Sequence, residues 1–236
     1  MKLASRIDHT LLKPEASAAQ VQHVVREALQ HGFASVCVNG CWVREAANLL
    51  QGSPVKTCAV VGFPLGACKP TIKAIEAASA VKDGALEIDF VASLPLVLAH
   101  DLPAMKLEFM EIVRAARAGN PTVTVKVILE TALLMKDAGV EEGETRIAIA
   151  CRAARESGCD FVKTSTGFHA AGGATVEAVQ LLKKHSSGLY VKASGGIRTT
   201  ADAMKMIAAG ADRLGCSASV DIVQGQHAVN TRTDGY

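Results

Sequence analysis

Aromatic side chains are scarce in this 236-residue chain, making up 4% of it. That argues against a stacking platform for single-stranded nucleic acid, which needs rings spaced along a basic groove. An excess of either charge is missing too. The formal net charge is +2, with 20% of residues charged, so neither a polyanion nor an anionic membrane is implied as a partner. No apolar run approaches the length of a membrane span. The segment Met1-Lys-Leu-Ala-Ser-Arg-Ile-Asp8 lacks the apolar core of a secretory signal. The seven cysteines (Cys37, Cys41, Cys58, Cys68, Cys151, Cys159 and Cys216) contain no CxxC pair, and the seven histidines show no metal-ligand spacing. Neither a disulfide framework nor a zinc site is suggested. The cysteines read as small core hydrophobes in a reducing cytoplasm. Low-complexity tracts and linkers are absent.

What is present is alternation. Short β-rich runs at 6–10, 35–39, 56–62, 86–91, 122–130, 161–165, 189–193 and 213–216 are separated by amphipathic stretches. Examples of the latter are 17–30, 71–82, 105–118, 143–156 and 174–185. Ser17 and Thr199 are suited to N-caps, and Gly32, Gly84, Gly119, Gly158 and Gly210 to the position just past a helix. Eight strands alternating with helices predict parallel pairing through crossovers. An open doubly wound sheet would be expected to carry a glycine-rich phosphate fingerprint after its first strand, and no GxGxxG or GxxxxGK[ST] occurs. The expected fold is therefore a TIM (β/α)8 barrel forming one catalytic domain over 1–236, with a flexible tail from about residue 226. In that fold the active site lies at the C-terminal ends of the strands.

Two lysines stand inside apolar strand-like runs: Lys163 in Cys159-Asp-Phe-Val-Lys-Thr-Ser-Thr166 and Lys192 in Leu189-Tyr-Val-Lys-Ala-Ser-Gly-Gly196. Buried lysine is rare without a partner or a task. Two of them on neighbouring strands disfavour each other's charge, and a neutral lysine amine is the nucleophile of imine chemistry. Strand alternation groups further polar residues on single faces. Asp8 goes with Thr10, Cys37 with Asn39, Glu87 with Asp89, Lys126 with Glu130, and Lys163 with Ser165. If these faces point inward, the barrel mouth holds several carboxylates and three lysines, which must neutralise one another. Glu87 and Lys126 read as a structural ion pair, and Lys163, Lys192 and Asp89 as functional. Asp8 and Thr10 either bind a substrate hydroxyl or close the barrel floor.

A second constellation joins Ser194-Gly-Gly-Ile-Arg-Thr199 to Arg213-Leu-Gly-Cys-Ser217, at the ends of the seventh and eighth strands. Loops in these positions often cradle a phosphate, with glycine allowing close backbone approach. Two tight turns would have the same composition. The stretch Thr166-Gly-Phe-His-Ala-Ala-Gly-Gly-Ala174 follows Lys163 and either covers the site or forms a surface loop.

Phe161-Val-Lys-Thr-Ser-Thr-Gly167 resembles the Schiff-base motif of the deoxyribose-phosphate aldolases. The likeness spans nearly the whole chain in order: Ile7-Asp-His-Thr-Leu11, Ser35-Val-Cys-Val-Asn39, Val61-Gly-Phe-Pro-Leu-Gly66, Gly84-Ala-Leu-Glu-Ile-Asp89, Lys126-Val-Ile-Leu-Glu-Thr131 and Val191-Lys-Ala-Ser-Gly-Gly-Ile-Arg-Thr199. The resemblance implies a class I aldolase that reversibly cleaves 2-deoxy-D-ribose 5-phosphate to D-glyceraldehyde 3-phosphate and acetaldehyde, in deoxyribonucleotide breakdown. It implies that Lys163 forms the imine, Lys192 tunes it and Asp89 relays protons. Asp8 and Thr10 would then bind substrate, and Gly195, Gly196, Gly215 and Ser217 its phosphate. No metal or organic cofactor is implied, and a cytoplasmic homo-oligomer is. Gly40, Phe168 and Ala218 depart from the pattern, Phe168 standing where some members carry a phosphate-facing lysine. Some members use a C-terminal tyrosine to assist proton transfer, and Tyr236 either takes that part or belongs to a frayed terminus, the tail from about Gln226 being divergent. Two alternatives stay open: another Schiff-base barrel with a different donor, and a silent barrel that senses a sugar phosphate.

Overall fold

The β-rich runs pair edge to edge into a ring. In the computed structural model, which describes residues 2–136 and 139–225, eight parallel strands close a barrel in chain order. They are β1 (Ile7–Leu11), β2 (Ser35–Val38), β3 (Lys56–Val61), β4 (Glu87–Val91), β5 (Thr124–Ile128), β6 (Phe161–Lys163), β7 (Tyr190–Ser194) and β8 (Arg213–Cys216). The last strand pairs back onto the first, with Asp8 opposite Gly215. Around them run α1 (Ala18–His31), α2 (Val43–Leu50), α3 (Pro70–Lys82), α4 (Leu94–Leu98), α5 (Leu102–Gly119), α6 (Thr131–Met135), α7 (Gly139–Glu156), α8 (Val176–His185), α9 (Thr200–Ala208) and α10 (Ser219–Gln224). No helix among the described residues is long and apolar enough to cross a membrane. The segment expected to form a tail, including Tyr236, lies outside the described residues.

The helix boundaries follow from local chemistry. Ser17 and Thr199 both close capping boxes, with Gln20 and Asp202 as the reciprocating residues. Gly32 ends α1 in the left-handed conformation, at φ 67°. Gly119 does not act as a C-terminal glycine: it is the last residue of α5, and Asn120 caps it in extended conformation. A Cβ on Gly119 would stand 3.0 Å from Val81 Cγ1, so its smallness serves the packing of α5 on α3.

Alternation along the strands sorts side chains into two environments. Val36, Val38, Ala59, Val61, Ile88, Phe90, Val125, Val127, Val162, Val191, Ala193 and Leu214 face the helices and make up the main core. The opposite faces put Asp8, Ser35, Cys37, Cys58, Glu87, Asp89, Lys126, Lys163 and Lys192 inside the barrel, all of them buried. Layers of branched apolar residues usually fill this space; here much of it is ionic.

Two predicted strands are shorter in the structure by more than one residue. β5 stops at Ile128 because Glu130 turns left-handed, at φ 54°. β6 ends at Lys163, and Thr164 stays tied to β7: its N–H donates to Lys192 O at 3.0 Å, and its Oγ1 accepts the Ser194 N–H at 3.0 Å and donates to Ser194 O at 3.1 Å. Both strands therefore end beside the mouth.

The buried thiols predict alkaline sensitivity. Burial pushes the thiols of Cys151 and Cys216 up to about 12, and that of Cys159 higher still. An unfolded thiol ionises near pH 8.5. The folded state holds the proton more tightly, so this stability is fully present below about pH 8.5 and is lost as pH rises toward the folded values. The loss is about 1.4 kcal/mol per pH unit for each thiol. Urea midpoints should fall steadily above about pH 9, and Cys151→Ala should make that slope shallower. An identical slope in the variant would assign the alkaline loss to other groups.

Candidate active site

The charged residues inside the barrel form one connected network centred on Asp89. Its Oδ2 accepts from Lys163 Nζ at 2.8 Å and from Lys192 Nζ at 2.7 Å. Its Oδ1 accepts from Lys126 Nζ at 2.8 Å and from the Cys58 thiol at 3.3 Å. Lys192 also pairs with Asp8 Oδ2. Asp8 Oδ1 accepts from Ser35 Oγ at 2.7 Å and from Arg213 at 2.6 Å. Glu87 closes the floor, 2.6 Å from Lys126 and 3.3 Å from Arg213, with half-exposed Lys56 at 3.7 Å. The expected structural pair of Glu87 and Lys126 is present, with Lys126 reaching Asp89 as well. Arg213, grouped by sequence with the phosphate loops, points instead into the floor.

These contacts decide which groups hold charge. Burial alone would push the carboxyls of Asp8 and Asp89 up. For Asp89 the ammonium groups of Lys126, Lys163 and Lys192 reverse this and hold it well below the ordinary range. Lys192 and Arg213 do the same for Asp8. Burial likewise would weaken the hold of Lys192 on its proton. Asp8 and Asp89 override both that and the repulsion of Lys126, keeping Lys192 above an ordinary lysine. Mutual repulsion between lysines, expected from the sequence, is thus outweighed at Lys192 by carboxylates on β1 and β4.

The strand-end loops complete the site. Lys163 ends β6 with its side chain 4% exposed. Just beyond it, the Thr166 N–H is accepted by Glu130 Oε1, while Glu130 Oε2 and the Ser165 hydroxyl are buried without a hydrogen-bond partner among the described residues. Glu130 is a left-handed non-glycine residue, a strained conformation worth about 1–2 kcal/mol. Burial raises its carboxyl above the usual value, against the Thr166 N–H. Sequence reading placed Glu130 on an inward face and went no further; nothing in its composition signals the backbone turn.

The glycines expected to hold phosphate divide into groups. Gly195 has φ 91°, and a Cβ there would stand 2.9 Å from Gly173 Cα and 3.3 Å from Gly167 Cα. The loops after β6 and β7 thus touch backbone to backbone, and Ala174 N–H donates to Gly195 O at 3.0 Å. Gly196 has φ 80°, with nothing among the described residues within 4 Å of a Cβ. Gly215 is buried in β8, where a Cβ would lie 3.2 Å from Lys192 Cε, so its missing side chain makes room for that lysine. Ser217 is exposed just past β8. Thr10 is half-buried on β1, its hydroxyl donating to Asp8 O at 2.9 Å.

An apolar cluster of Leu12, Cys37, Cys58 and Val60 borders the network, with half-buried Phe63 and Phe168 packed on it. The two rings meet edge to face at 5.2 Å. A second buried ion pair, Lys73 with Glu108 at 2.5 Å, lies apart from this site. Lys73 also donates to Val91 O at 2.8 Å, tying α3 and α5 to the end of β4.

Chemically, the arrangement offers an amine beside a carboxylate that is shared with a second, firmly charged ammonium. It suits addition to a carbonyl followed by short proton transfers. Comparison with known proteins agrees. A family model described as DeoC/LacD family aldolase matches residues 2–225. The chain is 48% identical over 225 residues to the deoxyribose-phosphate aldolase of Carboxydothermus hydrogenoformans, covering 95% of each chain. To the enzyme of that name from Streptococcus gordonii it is 45% identical, covering 97% of this chain and 98% of the relative. Among solved structures, the deoxyribose phosphate aldolase of Aeropyrum pernix, titled as a unique tetramer, aligns with TM-score 0.84 at 36% identity. That alignment covers 94% of this chain and 89% of the other.

Proposed function

This chain belongs to the DeoC/LacD family of aldolases, and from that premise we propose that it is a deoxyribose-phosphate aldolase. It reversibly cleaves 2-deoxy-D-ribose 5-phosphate to D-glyceraldehyde 3-phosphate and acetaldehyde through an imine on Lys163. The observation that carries this reading is the convergence of Lys163 and Lys192 Nζ on one oxygen of Asp89, at 2.8 and 2.7 Å.

Position supports the choice of nucleophile: Lys163 ends β6 with its side chain 4% exposed, whereas those of Lys126 and Lys192 are closed in. The Lys163 amine adds to C1 of the open-chain sugar. Water then leaves the carbinolamine, its proton supplied through Asp89 and Lys192, and the protonated imine forms. Loss of the C3 hydroxyl proton breaks the C2–C3 bond, and the electron pair moves into the imine as an enamine. D-glyceraldehyde 3-phosphate departs. The enamine is protonated at C2, and water releases acetaldehyde and the free amine. Asp89, in contact with both lysines, is the group able to carry these protons. Asp8 and Thr10 bind a substrate hydroxyl on this reading. Gly195, Gly196, Gly215 and Ser217 form the phosphate end, and Phe168 contributes no charge there. A cytoplasmic homo-oligomer belongs to the same reading, the Aeropyrum pernix relative being titled a tetramer.

The test is borohydride reduction in the presence of acetaldehyde, followed by intact mass and peptide mapping. One ethyl group on Lys163, together with turnover of deoxyribose 5-phosphate, is expected. A silent barrel gives no adduct, and a different aldolase is trapped better by another carbonyl donor.

The glycines separate packing from phosphate binding. Gly195→Ala drives a methyl into the Gly173 and Gly167 backbones at a positive φ, so a loss of about 2–5 kcal/mol is expected. Gly196→Ala meets no described residue, so backbone strain of about 1–2 kcal/mol is the cost expected. Its methyl enters the space assigned to the phosphate, so KM for deoxyribose 5-phosphate should rise about tenfold, a change of ~1.4 kcal/mol, and that for deoxyribose much less. Equal losses on both sugars would remove Gly196 from the phosphate site.

A further inference from the structure

Two thiols in the barrel interior take no part in the chemistry above. Cys37 on β2 and Cys58 on β3 are register partners in the parallel pairing, and both side chains point inside and are buried. Their sulfurs and a carboxylate oxygen of Asp89 all lie within 4.8 Å of one another. Cys58 donates to Asp89 Oδ1 at 3.3 Å and accepts from Lys126 Nζ at 3.6 Å.

Two thiols and a carboxylate are a ligand set for a soft cation, but this site is hostile to one. Asp89 is already neutralised by Lys126, Lys163 and Lys192, and Lys126 also touches Cys58. A dication would sit within a few ångströms of these ammonium groups, at low dielectric. The same surroundings favour thiolate chemistry. The neighbouring Cys58 thiol holds the Cys37 thiol below its ordinary range, against burial and with help from Lys192 and Lys163. Burial, reinforced by Cys37 and Asp89, pushes Cys58 well above it. One sulfur is thus disposed to attack while the other keeps its proton.

We propose that Cys37 and Cys58 form an oxidisable dithiol, a site of reversible covalent modification by small hydroperoxides. The Cys37 thiolate attacks the outer peroxide oxygen. The O–O bond breaks and the alcohol, or water from hydrogen peroxide, leaves with the proton, so that Cys37 becomes a sulfenic acid. The Cys58 sulfur then attacks the Cys37 sulfur. The S–O bond breaks, and water leaves with the Cys58 proton. The two thiols lose two electrons and the peroxide gains them. The pair borders Lys163, so an oxidant no larger than acetaldehyde enters by the mouth that the substrate uses. Oxidation removes the S–H that Cys58 donates to Asp89, and activity falls with it.

The test uses the full chain carrying Cys41→Ser and Cys68→Ser, which leaves one cysteine in each of the two tryptic peptides concerned. After hydrogen peroxide and alkylation, non-reducing peptide mapping should show a Cys37–Cys58 linked pair. Turnover should fall on the order of 10²-fold, the scale of a disturbed acid–base group, and both changes should reverse with dithiothreitol. In Cys58→Ala, dimedone should label Cys37 as the stranded sulfenic acid. Oxidation of other cysteines with no Cys37–Cys58 link, or a link that leaves turnover unchanged, overturns the proposal. The peptide map does not depend on aldolase activity, so its result is independent of the functional reading.

Discussion

Lys163→Arg is expected to abolish turnover of deoxyribose 5-phosphate, by a factor on the order of 10³ or more, as loss of a covalent nucleophile does. Arginine keeps a positive charge beside Asp89 but stays protonated and forms no productive imine. Its guanidinium can still bond Asp89 Oδ2, where Lys163 Nζ now lies at 2.8 Å, so folding should survive. The measurements are the coupled assay for glyceraldehyde 3-phosphate, borohydride trapping with acetaldehyde, and thermal unfolding. A folded variant that turns over near the wild-type rate, or is still ethylated in the same tryptic region, would displace Lys163 as the nucleophile.

Asp89→Asn should damage both activity and stability, for separable reasons. Among the described residues, Asp89 is the one carboxylate that Lys126, Lys163 and Lys192 all touch. Removing its charge leaves these buried ammonium groups facing Asp8 and Glu87. Breaking a buried pair in this way costs about 3–5 kcal/mol. Turnover should fall by about 10²–10⁴ through loss of the proton relay. The double variant Asp89→Asn/Lys126→Met tells the effects apart. It removes one unneutralised cation, so urea stability should recover in part while turnover does not. If turnover per folded molecule instead stays within about tenfold of wild type, below the usual acid–base contribution, Asp89 is a structural ion-pair member.

Much of the barrel was legible because its signals are local. Strand alternation and helix amphipathicity repeat within a few residues, and the capping residues Ser17 and Thr199 sit beside the helices they start. The strand ends were less legible, because they depend on loops that only the fold brings close. Just past the end of β6, the Thr164 hydroxyl binds the backbone of Ser194, 30 residues away. β5 stops where Glu130 turns to meet Thr166 across 36 residues.

By itself the sequence determined the order of strands and helices, the inward faces of the strands, and the anomaly of two lysines in apolar runs. Each follows from the repeat of the backbone and from the cost of burying a charge. Only the tertiary structure decided which charges meet. Asp89 on β4 reaches Lys163 and Lys192 on β6 and β7, and Asp8 on β1 reaches Lys192 and Arg213. It also brought Cys37 beside Cys58 and turned Arg213 from the phosphate loops into the floor. Contacts across the lumen depend on strand tilt and stagger once the sheet has closed, and no local pattern along the chain encodes that closure.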